Sequence, residues 1–471
     1  MILLLEAAAR SEPERTAVLT SEGSATYGQL LEDARRVATA LRRQGITRFA
    51  VVEPDAAWVL RILAGAALAG AEPCQYQPDT DATEFADHAS MLDHKFVLSR
   101  RDDLDGPFEV IGPETLVVED ADTTLRAGED TEQPLMIRTT GTTGLPKAAR
   151  HDWRILGKTV AGVRPMPEQR WLLAYGPQQF AGVQVLLHVA ASHATLVAPF
   201  PRQPKDGLNA LVNEGVTCVS ATPTFWRFLL AEARSRKVTL PPLEQITLGG
   251  EASPGDLLEE IQAVFPTAKV SQVYASTEFG SITSVRDGKP GIAVDSLWSE
   301  ANPTSNVRVA DGELWVRAGA GMLGYAGGSP AASSAADTDA ADADGGDSGG
   351  WRRTGDLVEI VDDRVMFRGR KSEVINVGGV KVHPLPVEDR ITALDSVALA
   401  RVFGRPNKLT GAIVAAEIVP AGGAEGADVE AIRAAIKEAV SDLPRAWQPR
   451  SVTFVDAIET KGGKTIRGME D

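Results

Sequence analysis

The stretch RTTGTTGLPKAAR, Arg138–Arg150, sets four threonines, two glycines and one lysine between two arginines. It follows the apolar run PLMI, Pro134–Ile137. An apolar strand that opens into a Gly/Thr loop can aim backbone N–H groups and hydroxyls at phosphate oxygens. The Walker pattern G-x4-G-K-[ST] tests this reading, and it fails: Gly141 is followed by Gly144, and Lys147 follows Pro146. A second near-match, KGGKTIR, ends in Gly463-Lys464-Thr465, but the first glycine it requires falls on Ile458. The loop is therefore not a Walker P-loop; taken alone it is either a phosphate cradle of another kind or a Gly-rich turn with no ligand.

Working outward, helix and strand alternate. TYGQLLEDARRVATALRRQG, Thr26–Gly45, has apolar residues at helical spacing and a closing glycine. RFAVVEP predicts a strand, AAWVLRILAGAALAGAEPC a second apolar helix, and KFVLS and PLMIRTT buried strands. WLLAYG, ATLVAPF, VTCVSATP, EQITLGGE and KVSQVYAS predict further strands with helices between several of them. This rhythm implies layered α/β subdomains with largely parallel sheets and ligands at the carboxyl ends of strands. IRTTGTTG and VYASTEFG are both such ends.

From about Gly291 the rhythm changes. NVRVADGELWVRAG predicts a hairpin at Asp311-Gly312, and WRRTGDLVEIVDDRVMFRGR one at Asp362-Asp363. We read 291–369 as a small β-barrel-like subdomain. Residues 326–350 have no large apolar side chain and predict a flexible loop. The best boundary lies at Gly369-Arg370, giving a large N-terminal domain (1–369) and a small mobile α+β C-terminal domain (370–471). In the latter SVALARVFG and GAIVAAEIVP predict strands and DVEAIRAAIKEAVSD an amphipathic helix.

Composition limits the function classes. At 471 residues the chain exceeds one hydrophobic core. A net charge of −16 argues against a nucleic-acid or anionic-membrane surface, so phosphate binding must concentrate positive charge locally. No apolar run reaches the roughly 18–20 residues of a membrane span, and Ile2–Leu5 is too short for a signal-peptide core. Cys74 and Cys218 form neither a metal-ligand spacing nor a disulfide framework. A cytoplasmic protein is expected, and the excess of Ala, Gly, Asp and Arg over Lys points to a GC-rich bacterial gene. No G-x-S-x-G elbow is present, so a serine hydrolase is unsupported.

After the first loop come GGEAS, YASTE, WRRTGDL, FRGRKSEVINVGG and KGGKTIR, in that order. With this series the chain resembles, over nearly its whole length, the acyl-adenylate-forming superfamily: acyl- and aryl-CoA synthetases, peptide-synthetase adenylation domains and firefly-type luciferases. The resemblance implies ATP- and Mg²⁺-dependent activation of a carboxylic acid to acyl-AMP, then transfer to the thiol of CoA or of a carrier-protein phosphopantetheine. Two unit charges about 4 Å apart repel by about 4 kcal/mol at an effective dielectric of about 20. Such a site must neutralise the triphosphate and hold the reactants in line.

The resemblance assigns roles by position. Thr139, Thr140, Gly141, Thr142, Thr143, Gly144 and Lys147 would surround the β- and γ-phosphates. Tyr274 would stack on adenine, Ala275 and Ser276 would lie against the nucleotide, Thr277 would contact the α-phosphate and Glu278 would hold Mg²⁺. Gly249, Gly250, Glu251 and Ala252 would line adenine and the acyl end. Read without the family, Tyr274 is a core residue and Glu251 a salt-bridge partner. Asp356 would accept both ribose hydroxyls, with Arg370 as a second ribose contact. Lys464 would bridge the substrate carboxylate and the α-phosphate. In the family the small domain then rotates, and Gly378 and Gly379 of NVGG would line the thiol tunnel. The hinge position, usually Asp or Lys, is Ser372 here. Peptide-synthetase domains place an Asp after a pocket Phe to pair the substrate ammonium; here Ala181 follows Phe180. That favours a neutral-tailed acid, with Phe180, Gly182, Gly249 and Gly280 as acyl-pocket candidates whose small members leave room for a bulky group. Phe180 taken alone also fits core packing. His151 matches a histidine common after the phosphate loop and is not read as catalytic. The alternatives are acyl–carrier-protein ligation, a single half-reaction, or a non-catalytic acyl-adenylate-binding protein.

Overall fold

The structure is a computed structural model that describes residues 1–126, 128, 132–139, 147–198, 204–317, 321–326, 350–421, 423, 427–458, 460–461, 464–465 and 467. Two compact units divide the chain. The first comprises Met1–Ser220, Ala275–Ser281 and the described part of Gly319–Ala343; the second comprises the remainder.

The first unit holds two sheets. In one, Glu72–Gln75, Arg48–Val52, Phe96–Ser99 and Glu109–Ile111 run parallel. Pro134–Thr139 continues this sheet parallel to Glu72–Gln75, and Lys147–Asp152 and then Gly324–Ala326 extend it antiparallel. In the other, Thr195–Val197 lies between Thr16–Thr20 and Arg170–Leu173, all parallel, with Cys218–Ala221 beyond and Gly23–Thr26 as an antiparallel edge. The mixed α/β class is as expected, and the loop of interest joins the last parallel strand of its sheet, Pro134–Thr139, to the antiparallel strand Lys147–Asp152.

The two predicted helices form where expected. Tyr27–Gln44 starts with a capping box between Thr26 and Gln29 and stops at Gly45, whose φ of 67° suits a residue without Cβ. Ala56–Ala69 is capped by Asp55, which accepts from the Trp58 N–H. Within it Gly65 lets the helices touch: a Cβ there would lie 2.6 Å from Val37. Ile62 and Leu63 are fully buried, each worth about 1.5–3 kcal/mol.

In the second unit Gln245–Gly249 pairs parallel with Lys269–Ser276. A five-stranded antiparallel sheet follows, in the order Ile292–Ala293, Arg364–Arg370, Trp351–Val361, Glu313–Arg317, Val307–Ala310. Its hairpins turn at Asp311-Gly312 and Asp362-Asp363, with positive φ at Asp311, Gly312 and Asp362. On one face the register sets Arg308 beside Trp315 beside Arg353, and Arg317 beside Trp351. The Arg308 guanidinium lies 4.8 Å from the Trp315 ring centre and 4.7 Å from that of Trp351. Arg317 covers Trp351 at 4.6 Å and Arg353 covers Trp315 at 5.1 Å, an alternating cation–π stack.

The C-terminal segment has its own apolar cluster, drawn from Ile375 through Val440. The strands Val397–Asn407 and Gly411–Pro420 form a long hairpin, with Ser451–Phe454 parallel to the latter. The helix Val429–Ala439 buries Ile432 and Ile436 and is capped by Asp428. Most of the loop predicted over 326–350 lies outside the described residues.

Candidate active site

In the first unit, Thr139 and Lys147 are paired residues at the open end of an antiparallel ladder. Thr140, Gly141, Thr142, Thr143 and Gly144 connect them and lie outside the described residues. The Lys147 ammonium sits 5.2 Å from the centre of the Tyr325 ring. Tyr325 was not anticipated. It belongs to the strand Gly324–Ala326, and its hydroxyl donates to Glu278 Oε1 at 3.2 Å.

Glu278 stands in a turn, residues 277–279, that follows the strand Lys269–Ser276. Ser276 Oγ accepts the Phe279 N–H at 3.1 Å and Gly280 closes the turn at φ 79°. Gly280, expected to open an acyl pocket, is thus needed first for its backbone conformation. The segment Gly321–Tyr325 grips Glu278 from the other side. The Met322 N–H donates to the Glu278 carbonyl at 3.0 Å. A Cβ on Gly321 would lie 2.6 Å from that carbonyl oxygen. Ala275 packs against the apolar core of this unit. The ring of His151, 1% exposed, hydrogen-bonds the Thr277 backbone; burial pushes its pKa down to about 4, so it is neutral and orients Thr277.

Two of the acyl-pocket candidates, Phe180 and Gly182, lie close together in the chain and are tightly packed. Phe180 starts the helix Phe180–Ser192, is buried in the core, and packs on the His151 ring at 5.8 Å. At Gly182 a Cβ would stand 2.1 Å from the Gly176 carbonyl oxygen. The space that seemed to be left for a bulky acyl group is there filled by backbone. This glycine serves a close chain approach.

In the second unit, Tyr274 donates its phenol to Asp356 Oδ2, and Arg370 Nε lies 3.2 Å from Asp356 Oδ1. Burial, and then the Asp356 carboxylate, raise the Tyr274 pKa well above its ordinary value, so the phenol remains a donor. A bulge aims Asp356: Thr354, Gly355 and Asp356 face the stretch between Glu313 and Trp315, where the register shifts. Gly355 takes φ 75° and donates to Glu313 Oε1 at 3.0 Å; Thr354 Oγ1 accepts the Asp356 N–H at 3.1 Å. The carboxylate keeps lone pairs for further donors. The Tyr274 ring lies 5.3 Å from Phe367, which backs one of its faces.

Gly249 ends its strand, Gly250 follows at φ 85°, and Ala252 is half-buried. Glu251 accepts the Thr224 N–H at 3.1 Å, at the first turn of the helix Pro223–Ser235. Gly378 and Gly379, at φ 59° and 89°, form the turn between Ile375–Val377 and Val380–Val382, and among the described residues no atom lies within 4 Å of where a Gly379 Cβ would stand. Ser372 is exposed in the short turn Lys371–Glu373. The backbone of Lys464 pairs with Lys461 in a two-stranded ribbon.

Among the described residues no group of three His, Cys, Asp or Glu side chains could hold a metal by itself. Glu278 offers one hard carboxylate, which fits Mg²⁺ arriving with nucleotide phosphates rather than a protein cage. Both cysteines are buried and form no disulfide. No described helix is long and apolar enough to cross a membrane.

Comparison with known proteins bears on family and fold. The 3-[(3aS,4S,7aS)-7a-methyl-1,5-dioxo-octahydro-1H-inden-4-yl]propanoyl:CoA ligase of Rhodococcus jostii is 29% identical over 55% of the chain and 48% of its own length, so the match spans about half of that relative. A feruloyl-CoA synthase of Amycolatopsis is 26% identical over 98% of the chain and 96% of its own length. The o-succinylbenzoate CoA synthetase of Bacillus subtilis, solved with its acyl-adenylate intermediate, superposes with a TM-score of 0.76 at 21% identity, covering 99% of this chain and 97% of that one; this likeness is one of fold. Models of the AMP-binding enzyme family and of its C-terminal domain match residues 5–326 and 386–464. The chain belongs to the AMP-binding enzyme family.

Proposed function

We propose that the chain is an ATP-dependent acid–CoA ligase that forms acyl-AMP and then an acyl thioester. The observation that carries this is the Tyr274–Asp356–Arg370 constellation, a carboxylate held by two donors with lone pairs to spare for a ribose. In adenylation a carboxylate oxygen of the acid bonds to the α-phosphorus, and the bond to the β-phosphate oxygen breaks to release pyrophosphate. Thr277, Thr139 and Lys147 contact the phosphates, and Lys464 offsets charge at the reacting carboxylate and α-phosphate. Glu278 would hold Mg²⁺, which neutralises phosphate charge. In the second step the thiol gives its proton to solvent, sulfur bonds to the acyl carbon, and the bond from that carbon to the phosphate oxygen breaks to release AMP. A rotation of residues 370–471 about Ser372 would withdraw Lys464 and bring the Gly378-Gly379 turn to the thiol path. Ala181 offers no carboxylate to a substrate ammonium, which supports a neutral-tailed acid. Use of ATP and CoA supports a cytoplasmic location, and composition a bacterial source.

ATP–pyrophosphate exchange and thioester formation over benzoate, ferulate, octanoate and dodecanoate test the reading. Exchange with at least one acid and a CoA thioester are expected. No exchange with any acid sinks the adenylation reading; exchange with thioester formed only on holo carrier protein reassigns the acceptor. Lys464→Ala should lower adenylation about 100-fold, the scale of losing a main charge-stabilising donor, while thioesterification of supplied acyl-AMP persists.

A further inference from the structure

The ribbon Thr460–Lys461/Lys464–Thr465 is short, and a two-stranded ribbon alone is marginally stable in water. Something must hold it where Lys464 can act. The structure supplies an anchor on each side. Upstream, Ile458 is buried with Leu399 and Val419, with Phe228 packed against them. Downstream, Arg467 Nε donates to both oxygens of Glu388 at 2.8 Å, and its NH2 lies 2.6 Å from Oε2. Glu388 sits on the helix Pro384–Thr392, is 4% exposed, and also accepts the Val402 N–H at 2.8 Å. One carboxylate therefore ties together a helix, the strand Val397–Asn407 and the residue three places beyond Lys464. Arg467 also feels the charges of Glu373, whose carboxylate accepts the Arg370 N–H, and of Glu251. A buried ion pair contributes weakly to net stability but fixes geometry through its bidentate contacts.

We propose that Arg467 is a positioning residue for adenylation. Its pair with Glu388, with Ile458 seated upstream, clamps both ends of the ribbon that carries Lys464. The inference rests on the adenylation role given to Lys464. Thioesterification, which that reading runs without Lys464, does not need the clamp.

The test uses the full chain with Arg467→Met, Glu388→Gln and the double variant. In the double variant neither charge of the pair is left buried alone, and the carboxamide that replaces the Glu388 carboxylate can still accept the Val402 N–H. Two readouts are taken: amide hydrogen exchange in the peptide spanning 460–465, and single-turnover adenylation against thioesterification from synthetic acyl-AMP, using the acid with the fastest pyrophosphate exchange. Exchange in the ribbon should speed up at least about 10-fold, and adenylation should fall about 10- to 100-fold, the cost of an ångström-scale misplacement, with thioesterification within about 2-fold of the parent. The double variant should regain the parent's denaturation midpoint but not its adenylation rate. Unchanged ribbon exchange, equal loss of both half-reactions, or full recovery of adenylation in the double variant would overturn the proposal. Lys464→Ala run alongside separates the two ideas: if it spares adenylation, the role of Lys464 falls, while the exchange readout still decides whether Arg467 clamps the ribbon.

Discussion

Replacing Tyr274 by Phe removes one oxygen and keeps the ring. The lost bond is charge-assisted, from a phenol to the Asp356 carboxylate, and such bonds contribute about 1.5–3 kcal/mol. The Asp356 side chain is 14% exposed, so water replaces the phenol only in part, and Arg370 still holds the other oxygen. We expect a net loss of about 1–2 kcal/mol in ribose recognition, which is about 5- to 30-fold in affinity. The assay is the KM for ATP in pyrophosphate exchange, beside the Kd of AMP by calorimetry. KM should rise by that factor while kcat stays within a few-fold, because the ring that would stack on adenine is retained. The control is 2′,3′-dideoxy-ATP, which lacks the hydroxyls that Asp356 would accept. Tyr274→Phe should not weaken this nucleotide further. Equal losses on both nucleotides, or none on ATP, would refute the claim that the phenol acts by fixing Asp356 for the ribose. Because the Tyr274 pKa is raised above its ordinary value, the parent should show no loss of ATP affinity from this group up to about pH 10.

Three further outcomes follow from the geometry. Tyr325→Phe should weaken Mn²⁺·ATP binding, read by electron paramagnetic resonance, about 3- to 10-fold through the lost Glu278 contact, the scale of one net intramolecular hydrogen bond of about 0.5–1.5 kcal/mol; unchanged metal affinity would remove Tyr325 from the site. Gly182→Ala should cost about 1–3 kcal/mol in chemical denaturation, because the added carbon meets the Gly176 carbonyl rather than a movable side chain. His94 and His151 are buried with pKa values pushed down to about 4. A folded pKa below the unfolded value of about 6.5 means the unfolded chain takes up the protons first, so their contribution is complete above about pH 6.5 and is lost as pH falls toward 4. His94→Gln, which removes one such group, should flatten the fall of the denaturation midpoint between pH 6.5 and 4.

The fold class was readable because its signals are local. Thr26 and Gln29 with a closing Gly45 bracket a helix, and Asp311-Gly312 and Asp362-Asp363 mark hairpins whose φ values are positive as those turns require. The residues proposed to bind nucleotide were readable only as members of a motif series; Tyr274 by itself looked like core. What escaped was long-range. Tyr325 meets Glu278 across 47 positions and Arg467 meets Glu388 across 79, and each pairing is created by sheet register or by a helix packed on a strand. No spacing rule connects such pairs. Gly182 escaped for the opposite reason: a glycine signals absent side chain, and only the position of the Gly176 carbonyl shows that the vacated volume is already taken.

The arginine–tryptophan stack of the five-stranded sheet has an optical consequence. Of the chain's eight tryptophans, Trp315 and Trp351 lie in this stack and Trp298 meets Trp351 edge-on at 5.8 Å. Indoles fixed in a chiral array against guanidinium groups give strong near-ultraviolet circular dichroism, and Trp351, 2% exposed, is shielded from aqueous quenchers. The small sheet therefore carries its own spectroscopic label. Its melting can be followed with no dye attached, and Trp351→Phe identifies which part of the signal belongs to it.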